Sequence, residues 1–96
     1  MSQDVIHNAE AGRFEIRVDD HVAVLDHILS NGRMAMVHTG VPGDLEGRGY
    51  GGQLARAALD HARREGLRVV PQCSFVRVYI ERHPEYAPLV DDGGVG

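Results

Sequence analysis

Between Glu46 and Gly52 the chain reads Glu-Gly-Arg-Gly-Tyr-Gly-Gly, with an amphipathic helical pattern directly after it. Glycines there let the main chain turn with positive φ and bring bare N–H groups against a ligand. The helix that follows adds unpaired N–H groups and the positive end of its dipole, so the segment reads as a cradle for phosphate.

The flanking patterns say what carries this loop. Arg13-Phe14-Glu15-Ile16-Arg17-Val18 alternates polar and apolar side chains, which places Phe14, Ile16 and Val18 on one buried face of a strand. Asp19-Asp20 reads as a tight turn into a second strand, His21 to Ser30, kept apolar by Val22, Val24, Ile28 and Leu29. Asn31-Gly32 suits a type I′ hairpin because both residues accept positive φ, and a third strand follows from Arg33 to about Val41. Val5 to Asn8 adds an edge strand. After the loop, Leu54, Ala58 and Ala62 recur at helical spacing with Leu59 beside them, while Arg56, Asp60, Arg63 and Arg64 face water. This predicts a helix from Gly51 to Glu65 that Gly66 stops in the left-handed conformation. Leu67 to Pro71 is a short strand, joined by the helical crossover to the strand before the loop and so parallel to it. Ser74 is placed to cap a second helix that carries Phe75, Val76, Tyr79 and Ile80 inward and ends near His83-Pro84. The fold class is α/β (α+β), a mostly antiparallel sheet with a β-α-β-α C-terminal half. One unit is expected over 1–96, with its core at about 5–90 and a tail, 91–96, too rich in glycine and aspartate to pack.

Composition removes several functions. At 96 residues there is room for one core, and a net charge of −4 argues against nucleic acid as a partner. The chain has no Lys, so every cationic contact comes from ten Arg, and a G-x-x-x-x-G-K-[ST] nucleotide loop cannot be built. Gly47, Gly49 and Gly52 satisfy G-x-G-x-x-G. The acidic residue that a dinucleotide fold needs at the next strand's end is replaced by Val69-Val70-Pro71-Gln72, which sets nicotinamide cofactors aside. Cys73 stands alone, which excludes an internal disulfide and fits a reducing compartment. No apolar run approaches the roughly 18 residues of a membrane span, and the N-terminus lacks a signal pattern, so a cytoplasmic protein is expected. No His/Cys/Asp cluster has metal-ligand spacing.

Antiparallel strands, a glycine-rich turn, a helix, a strand and a helix in this order resemble the core of the GNAT superfamily of N-acetyltransferases. Its pyrophosphate signature, [QR]-x-x-G-x-[GA], is met at Gly49-Tyr50-Gly51, with Glu46 where Gln or Arg is usual. The resemblance narrows to a subfamily of small stand-alone GNAT-like proteins through His38-Thr39-x-Val41-Pro42, Gly47 to Gly51, Ala57-Ala58-Leu59-Asp60-x-Ala62-Arg63, Val69-Val70-Pro71-x-Cys73-x-Phe75-Val76 and Tyr79-Ile80-x-x-His83-Pro84-Glu85-Tyr86. Gly40 stands where that subfamily has Glu, and Ser74 where it has Pro.

The resemblance implies acetyl transfer from acetyl-CoA, as co-substrate, to an amine on a small molecule or a protein, with two central strands, ending near Val41 and Pro71, parting to admit the pantetheine arm. The protein would be a monomer or weak homodimer, with no metal. Cofactor contacts would come from Thr39 and Val41 on the strand and from Gly47, Arg48, Gly49, Tyr50, Gly51 and Gly52 in the loop. Cys73 lies at a predicted helix N-terminus, which favours thiolate, and the subfamily points to it as the catalytic group. Tyr79 stands as a proton donor to the departing thiolate, and His38 as a base for the amine. Gly40 and Glu46 keep a second reading open, a non-catalytic CoA-binding or protein-interaction module on the same fold.

Overall fold

The structure is a computed structural model and describes residues 4–91. Five strands, β1 (Ile6–Asn8), β2 (Arg13–Val18), β3 (His21–Ser30), β4 (Arg33–Gly40) and β5 (Arg68–Pro71), lie side by side in chain order. The first four pair antiparallel, and β5 runs parallel to β4. Two helices, α1 (Tyr50–Glu65) and α2 (Ser74–Arg82), follow β4 and β5, with 3₁₀ turns at Gly43–Leu45 and Pro84–Leu89.

The hairpin between β3 and β4 has the geometry its Asn-Gly pair predicts, with φ of 53° at Asn31 and 76° at Gly32. Phe14 and Ile16 of β2, Ala23 and Leu25 of β3, Met34 and Met36 of β4 and Val69 of β5 form the sheet side of the core. Leu54, Ala55, Ala58, Leu59 and Ala62 of α1 and Val76 and Ile80 of α2 close it. Truncating one of the buried leucines to alanine costs about 2–5 kcal/mol. Gly66 ends α1 at φ 68°, with its N–H on the Ala62 and Arg63 carbonyls. That is the left-handed stop expected of it.

Beyond the hairpin the ladder between β3 and β4 slips. Asp26 pairs with His38, but the next residue, His27, pairs with Met36, so Val37 is an extra residue in β4. A bulge of this kind turns the side chains after it to the other face. Thr39 therefore stands opposite Leu25 on the helix-bearing face, while His38 and Gly40 lie opposite Asp26 and Val24 on the reverse. A Cβ on Gly40 would lie 3.1 Å from His38 Nε2 and 3.6 Å from Val24 Cγ2, as that placement requires.

Four expectations are corrected. β5 is the edge of the sheet rather than one of two central strands, because no strand follows it among the described residues. Ser74 is the first residue of α2 rather than its cap; Cys73 holds the cap position, with no side-chain cap bond. Phe75 is 43 % exposed rather than inward. Asp91 is placed: its N–H donates to the Val69 carbonyl at 2.8 Å and its carboxylate pairs with Arg33, while 92–96, the rest of the expected tail, lie outside the described residues. Arg68 adds bonds to the Pro88 and Val90 carbonyls, so the chain after α2 is strapped over the β5 edge. Glu15, which the alternation sets opposite the buried face of Phe14, Ile16 and Val18, is itself fully buried between Arg13 and Arg17 on the reverse face, with Asn8 beside it.

Candidate active site

β4 and β5 pair from Arg33 and Arg68 as far as Met36 and Pro71, where β5 stops and β4 continues to Gly40. One further bond, from the Cys73 N–H to the Met36 carbonyl at 2.9 Å, closes the parallel ladder. Past it the strands part around a cavity of about 470 Å³ lined by Thr39, Gly40, Val41, Glu46, Gly47 and Phe75.

The glycine loop forms one wall. Gly47 and Gly49 sit at φ 80° and 82°, which side-chain-bearing residues rarely adopt. Gly49 is the N-cap of α1, with no side-chain cap bond and no acidic residue in the first turn. The amides of Tyr50, Gly51 and Gly52 therefore have no intrahelical acceptor and meet no fixed negative charge within their own turn. Gly51 leaves room for a ring as well: a Cβ there would come within 2.7 Å of Phe75 Cζ, so that ring would have to shift. His21 Nε2, at the start of β3, lies 3.1 Å from Asp44 Oδ2 and ties the 3₁₀ turn ahead of the loop to the sheet.

Cys73 is half-buried, with its Sγ 3.4 Å from Thr39 Oγ1. Burial pushes its thiol pKa up. The Thr39 hydroxyl and backbone hydrogen bonds from Val76, Phe75 and Thr39 outweigh that, and the net pKa lies below the ordinary value. Tyr79 lies one helical turn and a half further along α2, its Cε2 positioned 3.7 Å from where a Cβ on Gly52 would be. Its ring stacks on His83 at 4.0 Å, and His83 Nδ1 is 2.9 Å from the Tyr79 carbonyl. Burial raises the Tyr79 pKa, and Asp60 and Glu85 add to it against Arg56, so the phenol stays protonated at neutral pH.

The chain thus brings Thr39, Val41 and Gly47 around one opening, holds Cys73 against Thr39, sets Gly49 to Gly52 at the helix start beside it, and packs Tyr79 against that helix. Arg48 is exposed in the loop. His38 is not brought to Cys73: the bulge sends it to the reverse face. Phe75, Gly40 and Glu46 line the cavity without having been assigned to it as contacts. For Phe75 the pair Gly51-Gly52 inside a helix was the available signal, since adjacent glycines there invite close approach by a neighbour. A separate hollow of about 450 Å³ beside Tyr86 is lined by Arg56, Asp60, Arg63, Arg64 and Glu85. Tyr86 donates to Asp60 at 2.7 Å and Arg63 lies 4.9 Å over the Tyr86 ring. Among the described residues no group of three or more His, Cys, Asp or Glu is placed to hold a metal ion, and no helix is long and apolar enough to cross a membrane.

A parallel strand pair opening around a cavity, with a glycine-rich loop on one wall and a cysteine at a second helix start held against the cavity-lining Thr39, defines an acyltransferase-like α/β domain. The sequence profile of the GCN5-related N-acetyl-transferase family matches residues 13–89, and the chain belongs to that family. It is similar to Protein NATD1 of Homo sapiens, 29% identical over 83 residues, covering 83% of this chain and 74% of that one. Protein NATD1 of Xenopus tropicalis is 28% identical over 83 residues, covering 83% of this chain and 76% of the relative. A GCN5-like protein from Staphylococcus aureus, solved in solution by NMR, superposes with a TM-score of 0.70 at 25% identity, covering 99% of this chain and 98% of that one.

Proposed function

We propose that the protein transfers an acetyl group from acetyl-CoA to an amine. The observation that carries this reading is the opening where β4 runs on past β5, walled by the glycine loop and by Thr39, whose hydroxyl lies 3.4 Å from Cys73 Sγ. The residues present fit coenzyme A. Backbone amides from Gly47 to Gly52 suit its diphosphate, Arg48 adds a side-chain contact, and the free edge of β4 from Thr39 to Val41 can pair with the pantetheine amides. What the bound co-substrate supplies is an acetyl group activated as a thioester. Cys73, held toward thiolate, is the nucleophile or the proton-bearing group next to that acetyl; Tyr79, kept protonated, is the proton source. A working free thiol suits a reducing, cytoplasmic setting.

A second reading, a module that binds CoA without turnover, is favoured by Glu46, which lines the cavity where the family usually has Gln or Arg. Calorimetry with acetyl-CoA, followed by a free-thiol assay over a broad amine panel, separates the two. Binding with amine-dependent thiol release supports transfer. Binding without release assigns the module, and no heat together with no thermal shift removes both. Ligand at 100 times its dissociation constant adds about 2.7 kcal/mol of stability, so the shift is large enough to read.

A further inference from the structure

At the sheet edge remote from the cavity, four rings from four elements meet. His7 of β1 stacks on Phe14 of β2 at 4.2 Å and 5°; His61 of α1 meets His7 edge-on at 4.5 Å, and His27 of β3 tilts against His7 at 5.1 Å. His7 Nε2 and His27 Nε2 lie 3.0 Å apart. His27 is 6 % exposed, and its other ring nitrogen, Nδ1, has no hydrogen-bond partner.

Two imidazole nitrogens facing each other at this distance can share one proton, one donating and the other accepting. When both rings are imidazolium, two N–H groups and two positive charges confront one another and the bond is lost. His27 cannot turn aside. Its backbone lies in the ladder opposite Met36, and its N–H donates to the Gly12 carbonyl at 2.8 Å. His7 can, because β1 pairs through only Ile6, His7 and Asn8 at the outer edge.

We propose that His7 and His27 form a proton-operated latch: it holds β1 on the sheet while one of the two rings is neutral, and releases that strand when both are protonated. Release uncovers Phe14 and the adjoining cavity of about 320 Å³, which His7, His61, Asp60 and Arg64 also line. The surrounding charges set the direction. Burial lowers the pKa of His7, and His61 lowers it further; burial lowers that of His27, with His7 and His61 adding to it and neighbouring Asp26 opposing. Asp60 and Arg64 face the cavity with opposite charges, and Glu15 is engaged by Arg13 and Arg17 on the reverse face. Because both folded-state pKa values lie below the free value of 6.5, the closed strand is fully stable above that pH. It weakens as pH falls below it.

Amide hydrogen exchange on the whole chain tests this. After correction for intrinsic rates, opening that takes up one extra proton accelerates exchange by up to about tenfold per pH unit, so β1 and its β2 partners should exchange faster by at least about tenfold between about pH 7 and about pH 5. The β3–β4 ladder should not follow. His7→Phe keeps the stack without titrating and should abolish the acceleration; His27→Phe should do the same and serves if the first variant fails to fold. Wild-type imidazole NMR needs no variant: the two rings should titrate below the free value of 6.5 and not together. An unchanged pH response in His7→Phe overturns the latch, and so does ordinary, simultaneous titration of both rings in the wild type.

Discussion

Thr39 Oγ1 meets Cys73 Sγ at 3.4 Å across a separation of 34 residues. The contact exists because the extra residue Val37 turns Thr39 to the helix-bearing face and because β5 ends at Pro71, leaving Cys73 at the start of α2. A thiolate only accepts hydrogen bonds, so the Thr39 hydroxyl donates to it. Thr39→Val removes that donor and keeps the shape. Alkylation of Cys73 by iodoacetamide at neutral pH should slow by a factor of about 3 to 10, and Thr39→Ser should restore the rate. Equal rates in wild type and Thr39→Val would show that the backbone amides alone hold the sulfur.

Cys73 also decides the chemical route. If it acts as nucleophile, incubation with acetyl-CoA in the absence of an amine should leave an acetyl group on the Cys73 peptide, readable by mass spectrometry and removed by hydroxylamine. Cys73→Ala should abolish the adduct and lower kcat/KM by about 10² to 10⁴. Turnover with no adduct at any time would leave direct attack by the amine, with Cys73 or Tyr79 as the acid.

Local chemistry made much of this fold readable. Asn31-Gly32 and Gly66 announce their conformations because positive φ is a property of one or two residues, and the spacing of Leu54, Ala58 and Ala62 belongs to a single helix. The bulge at Val37 could not be read that way, since it is a register between two strands that only the packed sheet chooses. With it went the faces of His38 and Thr39, and so the composition of the site. Phe75 has helical spacing that fits a buried position, but the seat it occupies is made by Gly51 on another helix. Glu15 reads as a surface residue because its pattern is polar; it is covered only because Arg13 and Arg17, two positions either side, fold their guanidinium groups onto it.

Gly51 offers a test in which two effects oppose. Alanine favours a helix over glycine by about 1 kcal/mol, but the added Cβ would lie 2.7 Å from the far end of the Phe75 ring, which must move. The ring can swing, so the melting temperature of Gly51→Ala should change little. Phe75 would then be displaced within the cavity it lines, and acetyl-CoA affinity should fall by about 3- to 10-fold. Gly51→Ala combined with Phe75→Leu should recover much of the loss. A large drop in stability with unchanged affinity would place Phe75 outside the binding site.

The reverse face of the sheet carries its own pH signature. Arg13, then Asn8, with Arg17 further on, hold the Glu15 carboxyl at about 2, below its ordinary 4.5, against the opposing effect of burial. A depressed carboxylate contributes stability that is complete above the free value and is lost as pH falls through the folded one. Acid should therefore weaken the wild type between about 4.5 and about 2 through this group. Glu15→Gln removes the titrating proton and leaves two arginines facing an amide, which should cost about 1–2 kcal/mol at neutral pH, since both guanidinium groups remain partly in water. Urea denaturation at a series of pH values reads both effects at once: the variant should be less stable than the wild type near neutrality, and the gap should narrow steadily in acid. A gap that stays constant down to the lowest pH would mean that the arginines stabilise this face by their aliphatic stems rather than by their charge.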